Sequence, residues 1–135
     1  MSGARNPMPR DAVLDASAVL VLIQGEAGAD RVAACIPGGR ISSVNLAEVV
    51  GKLADSGMPR EQVQLALASL GLRVVSLDEA AAYAVGMMRP ATRARGLSLG
   101  DRACLTLGVE TGLPVLTADR AWAELDLGAV VEAIR

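Results

Sequence analysis

Four acidic residues stand where strand-like sequence gives way to helix-like sequence: Asp15, Glu48, Asp101 and Asp119. In an α/β fold such junctions converge at one edge of the sheet. Carboxylates gathered in one cleft repel each other unless a cation sits among them. The chain has no histidine, so a hard divalent ion, Mg²⁺ or Mn²⁺, is the natural occupant. Such a cluster points to phosphodiester chemistry.

Each acid also has a purely local reading. Asp15 closes the apolar run Val13-Leu14 and fits an N-cap, but a charge inside a long apolar stretch is costly unless paired or metal-bound. Ser17, two residues on, is placed to bond that carboxylate, add a hydroxyl ligand or simply start a helix. Asn45-Leu46-Ala47-Glu48 has the form of a capping box, and Glu48 lies four residues before Lys52, a common exposed pair. It also falls off the apolar stripe Leu46, Val49, Val50 and Leu53, so the residues alone favour the local role there. Ser98-Leu99-Gly100-Asp101 fits a second capping box, yet Asp101 shares a helical face with Cys104, Leu105 and Gly108, which suits an inward-pointing ligand. Asp119 follows Val115-Leu116-Thr117-Ala118 and fits either an N-cap or a ligand at the carboxyl end of a buried strand, with the Thr117 hydroxyl in support. Taken singly each motif is weak; the four together carry the signal.

The elements that must position these acids follow from apolar runs and breakers. Residues 1–10 read as a flexible leader and residues 11–135 as a single domain. Strands are expected at Ala12 to Leu14, Arg40 to Val44, Leu72 to Leu77, Pro114 to Leu116 and Ala129 to Ile134. Helical segments are expected at Ser17 to Gln24, Ala29 to Ile36, Leu46 to Asp55 (capped by Asn45), Pro59 to Leu70, Asp78 to Met88, Gly100 to Thr111 and Arg120 to Leu125, with Pro90 as a breaker and Arg93 to Ser98 as a basic loop. This alternation predicts a mostly parallel sheet with helices on both faces.

Composition narrows the class. Hydrophobic residues make up 52% of 135, which excludes disorder. With no Phe, one Tyr and one Trp, Ala, Val and Leu must fill the core. A net charge of −2 excludes a generally basic nucleic-acid coat. Lys52 is the only lysine, so positive charge is nearly all arginine. Arg89, Arg93, Arg95 and Arg102 cluster before and at the third acidic motif, placed either to guide a polyanion backbone or to balance the acids in solvent. Cys35 and Cys104 form no metal-ligand motif and read as small buried hydrophobes in a reducing cytosol. The apolar run Ala12 to Ile23 is too short and too interrupted for a membrane span, and the leader does not resemble a signal peptide.

Leu14-Asp15-Ala16-Ser17-Ala18, Asn45-Leu46-Ala47-Glu48-Val49, Leu99-Gly100-Asp101-Arg102-Ala103 and Leu116-Thr117-Ala118-Asp119 resemble the four acidic motifs of PIN-domain ribonucleases, and among these the VapC toxins of bacterial toxin–antitoxin pairs. The likeness spans nearly the whole chain after the leader, in the family's order and spacing. It implies an α/β/α sandwich and Mg²⁺- or Mn²⁺-dependent RNA cleavage leaving 5′-phosphate and 3′-hydroxyl ends. It places Asp15, Glu48, Asp101 and Asp119 in the acidic cluster, with Glu48 taken against its local reading, and Ser17 beside the first acid. It also implies a cognate VapB-type antitoxin that blocks the site, and operator DNA bound only through the antitoxin complex. Surplus helical hydrophobicity over Val19 to Ile36 and Val49 to Leu70 is expected to serve a homodimer interface, an antitoxin groove, or both. Two other classes compete. A catalytically dead PIN-like scaffold is disfavoured by retention of all four acids. A receiver-like signalling module would want a lysine at a late strand end, whereas Lys52 falls mid-helix.

Overall fold

A computed structural model describes residues 10–135. Five parallel strands form its sheet: β1 (Ala12–Leu14), β2 (Gly39–Ser42), β3 (Arg73–Val75), β4 (Val115–Thr117) and β5 (Val131–Ala133), in the spatial order β3-β2-β1-β4-β5. The helices between them are α1 (Ala16–Gln24), α2 (Ala29–Ala33), α3 (Ser43–Asp55), α4 (Arg60–Ala68), α5 (Glu79–Met87), α6 (Arg89–Thr92) and α7 (Leu99–Thr111). Tight 3-10 turns occupy Ile36–Gly38, Arg93–Arg95 and Arg120–Glu124.

The central strands are buried on both faces, as parallel sheets require. Side chains alternate along β1, so Ala12 and Leu14 face one core and Val13 the other. The first core joins Leu14, Ile41 and Leu116 to Val19, Val32, Val49 and Val63 from α1, α2, α3 and α4. The second joins Val13 and Val115 to Cys104, Leu105 and Leu107 of α7 and to Trp122. The result is the expected α/β/α sandwich, built almost wholly from aliphatic side chains.

Strand order fixes where a site belongs. From β1 the chain steps outward through β2 to β3, then returns to the other side of β1 for β4 and β5. The direction reverses between β1 and β4, and the carboxyl ends of the strands flanking such a switch point border a natural crevice. Asp15 directly follows β1, and Asp119 lies two residues beyond β4.

Some boundaries differ from the sequence expectation. The second strand stops at Ser42, whose hydroxyl caps α3 by accepting from the Val44 N–H at 3.2 Å. Asn45 is therefore not a cap but an interior first-turn residue, and Glu48 is not part of a capping box. The buried stripe of α3 is Asn45, Val49 and Leu53, while Val50 is exposed. α2 ends at Ala33 rather than Ile36, because Pro37 imposes the 3-10 turn. Pro90 does not simply break a helix; it sits in the first turn of α6, where a missing N–H costs nothing. The leader falls outside the described residues except for Arg10, whose guanidinium forms a two-pronged pair with Glu132 on β5, with Nη1 2.9 Å from Oε2. Among the described residues no helix is long and apolar enough to cross a membrane.

Candidate active site

Asp15 anchors the crevice. It caps α1, with Oδ1 accepting from the Ala18 N–H at 2.8 Å and from the Ser17 hydroxyl at 2.6 Å. Its other oxygen, Oδ2, accepts from the Thr117 hydroxyl on β4 at 2.7 Å. The two hydroxyls have no other proton to give. Ser17 Oγ in turn accepts from the Ala118 N–H at 3.0 Å, and Thr117 Oγ1 from the Asp119 N–H at 3.0 Å. Both hydroxyl protons point at one carboxylate, so the 3.5 Å approach of Ser17 Oγ to Thr117 Oγ1 is a contact rather than a bond. The local capping reading and the functional reading of Asp15 are thus compatible.

This carboxylate is only 5% exposed and Thr117 is fully buried. Burial pushes the Asp15 pKa above the ordinary carboxylate range, and the negative charge of Asp101 pushes the same way; the bonds from Ser17, Thr117 and Ala18 offset part of this. The Cys104 thiol is raised well above its ordinary value by burial, and then by the charges of Asp15, Asp101 and Glu48. The charges that act on this buried thiol thus come from three of the four acids. Both cysteines are free and buried.

The remaining acids are tied locally through one oxygen each. Asp101 completes a capping box on α7, with Oδ2 accepting from the Ser98 N–H at 2.8 Å and its own N–H donating to Ser98 Oγ at 3.1 Å. Asp119 is the cap of the turn holding Trp122, with Oδ1 accepting from the Ala121 N–H at 3.0 Å. Glu48 Oε1 accepts from Asn45 Nδ2 at 2.9 Å, and no ion pair links Glu48 to Lys52 among the described residues. Asp101 and Asp119 share the lining of a cavity of about 90 Å³ with Arg95, Leu97 and Trp122.

This donor set fits a hard cation in charge and chemistry. None of the four acids has a basic partner among the described residues, and a buried carboxylate with hydrogen bonds but no countercharge is costly. The side chains are not gathered into a finished coordination set: no three His, Cys, Asp or Glu groups are arranged to hold a metal ion among the described residues. Each carboxylate accepts from a nearby N–H instead. Asp15 is the most firmly held, by donors from α1 and β4, whereas Asp101, Asp119 and Glu48 each keep one carboxylate oxygen outside the bonds described.

The arginines separate into different settings. Arg95 borders the acid cavity. Arg89 and Arg93 are exposed. Arg102 packs inward, with Nη1 donating to the Val85 carbonyl at 3.1 Å and a buried Nε that has no partner. Asn45, a cap by local pattern, and Gly100, which no local pattern singles out, both touch Glu48. The i,i+4 spacing of Asn45, Val49 and Leu53 was the signal that Asn45 faces inward.

Comparison with known proteins supplies the family. The description "PIN domain" matches residues 12–127. The chain belongs to the PIN-domain family. That membership sets aside the receiver-like alternative. Solved structures agree with the fold. The VapBC2 complex of Rickettsia felis bound to a promoter DNA fragment superposes with a TM-score of 0.71 at 15% identity, covering 92% of this chain and 98% of the other. DNA-bound VapBC from Salmonella typhimurium gives 0.73 at 20%, covering 93% and 98%. VapBC-5 from Mycobacterium tuberculosis, a toxin–antitoxin system, gives 0.55 at 26%, covering 94% and 99%. Comparison with curated proteins gives no match.

Proposed function

We propose that this PIN domain is a Mg²⁺- or Mn²⁺-dependent endoribonuclease and the toxin of a VapBC-type pair in the cytoplasm. The observation that carries this reading is the Asp15 carboxylate: buried at the switch-point crevice, clamped by three donors, beside Asp101, with no cationic partner. Asp15, Glu48, Asp101 and Asp119 would hold the metal, with Ser17 and Thr117 orienting the first. A bound divalent ion supplies Lewis-acid activation of the phosphodiester and of water.

The chain's own residues define the rest of the chemistry. With no histidine, proton transfer falls to carboxylates and water. Asp101, whose Oδ1 is not used by the capping box, would take a proton or bind the metal. Arg95 in the cavity lining would hold an RNA phosphate, with Arg89 and Arg93 extending the basic path, whereas Arg102 serves packing first. Tyr83 is 71% exposed and Trp122 is buried, so Tyr83 alone offers a free ring for stacking on a base.

The partner reading rests on a different surface. An apolar groove of about 650 Å³ runs between α3 and α4 and down to β3, with Leu46, Val50, Val63, Leu67 and Val74 in its lining and Arg60 in the same lining. Its depth and apolar walls suit an amphipathic segment of an antitoxin, with an acidic residue meeting Arg60. The hydrophobic surplus of the second expected segment, Val49 to Leu70, lies here. Operator DNA would be bound through the antitoxin in that complex, and the toxin is proposed to be a homodimer.

The decisive test is expression of wild type and Asp101→Asn in a bacterial host, with sequencing of cellular RNA ends. Discrete new 5′-phosphate ends and growth arrest with wild type alone are expected. Equal RNA profiles, with both proteins folded and free of antitoxin, overturn the nuclease reading in that host and leave the binding scaffold.

A further inference from the structure

Glu48 is the acid whose local reading the structure removes: Ser42, not Asn45, caps α3. Glu48 is exposed on that helix, where a glutamate ordinarily samples many rotamers. Two neighbours remove that freedom. Asn45, one turn earlier and 1% exposed, donates from Nδ2 to Glu48 Oε1 at 2.9 Å and to the Gly100 carbonyl on α7 at 3.0 Å. Both partners are acceptors, so the orientation of the amide follows from its bonds. Gly100 is itself buried, and a Cβ there would overlap the Glu48 carboxylate, falling 2.6 Å from its Cδ and 2.7 Å from Oε2. The carboxylate therefore lies directly against the first turn of α7, the helix that carries Asp101.

Asn45 is a poor choice for stability alone. Its Oδ1 is buried without a hydrogen-bond partner. A half-satisfied buried amide on the apolar stripe of Val49 and Leu53 costs more than an apolar side chain of similar size. The compensating gain is geometric, because one amide group joins the second acidic motif to the third. We propose that Asn45 and Gly100 are positioning residues that hold the Glu48 carboxylate beside Asp101 for metal binding. This rests on the metal-dependent reading above, and neither residue is a ligand.

The test is Mn²⁺ affinity of purified protein by calorimetry, with thermal unfolding in chelator measured alongside. Asn45→Leu is expected to unfold at or above the wild-type temperature without metal, yet to bind Mn²⁺ about tenfold to a hundredfold more weakly. Glu48→Gln is expected to weaken binding similarly, and Asn45→Leu/Glu48→Gln to be no worse than Glu48→Gln alone, because both act through one carboxylate. Gly100→Ala reaches that carboxylate from the α7 side and carries the test if Asn45→Leu does not fold. Wild-type affinity in a folded Asn45→Leu protein, or additive losses in the double variant, overturns the positioning role and leaves the metal reading intact. Loss of folding in both Asn45→Leu and Gly100→Ala overturns it in favour of a structural role. Absence of Mn²⁺ binding by wild type overturns the metal reading, and the positioning role with it.

Discussion

Replacing Thr117 by valine isolates the clamp on Asp15 with almost no change of shape. Thr117 is fully buried, so the substitution swaps a hydroxyl for a methyl in a packed site. Two bonds disappear: donation to Asp15 Oδ2 at 2.7 Å and acceptance from the Asp119 N–H at 3.0 Å. A bond to a charged group contributes about 1.5–3 kcal/mol and a neutral one about 0.5–1.5 kcal/mol. Asp119 is exposed, so water replaces most of the second. The expected loss is about 2–3 kcal/mol at neutral pH. For a domain of 135 residues, each kcal/mol is worth roughly 3–5 °C, so Tm should fall by about 10 °C. Thr117→Ser keeps the hydroxyl and forfeits one methyl, at a cost of about 1 kcal/mol.

The pH dependence identifies the cause. The Asp15 pKa is raised in the folded chain, chiefly by burial. On raising the pH the unfolded chain releases this proton first, so the group's contribution to stability is complete below the unfolded value near ~3.9 and is lost as pH rises through the folded value. Removing the Thr117 hydroxyl takes away a bond that lowers the folded pKa, so the folded value climbs further and the loss widens. The gap between Thr117→Val and Thr117→Ser, measured by denaturant unfolding in chelator, should therefore be large at neutral pH and shrink towards about pH 4. A gap below about 1 kcal/mol, or one independent of pH, refutes the claim that this hydroxyl stabilises a buried ionised carboxylate.

Saturating Mg²⁺ or Mn²⁺ should raise Tm of the wild type, by about 2.7 kcal/mol of stability at a hundredfold excess over Kd, and Asp15→Asn should lose most of that shift in a thermal melt. Glu132 is held below the usual carboxylate range by Arg10; its stabilisation is present above the unfolded carboxylate value and lost as pH falls through the folded one, so Glu132→Gln should flatten the acid limb of an unfolding profile, with a modest effect because the pair is partly exposed. Val50→Arg, on the exposed side of α3 in the apolar groove, should weaken binding of a co-expressed antitoxin at least tenfold by calorimetry while leaving RNA cleavage by the free protein intact.

The parts of the site legible in the sequence are those in which one residue does two jobs. Asp15, Asp101 and Asp119 each cap or open a helical element at the positions where the sequence also suggests chemistry, so one pattern marks both readings. The strands were legible because runs such as Val13-Leu14 and Val115-Leu116 have no other place to go than a sheet covered on both faces. Glu48 was illegible for a specific reason. The run Ser42-Ser43-Val44-Asn45 offers three capping residues, and choosing Asn45 instead of Ser42 shifts the helix start by three residues. That shift turns an inward amide into a surface cap and makes Glu48 its ordinary partner. What decides between them is tertiary: the Gly100 carbonyl, 55 residues away, accepts from Asn45, and no local pattern contains that contact. Such an arrangement is therefore only half local, because the acids that also cap or open their own helical element announce themselves, while Glu48, in the middle of α3, depends on the residue that receives it.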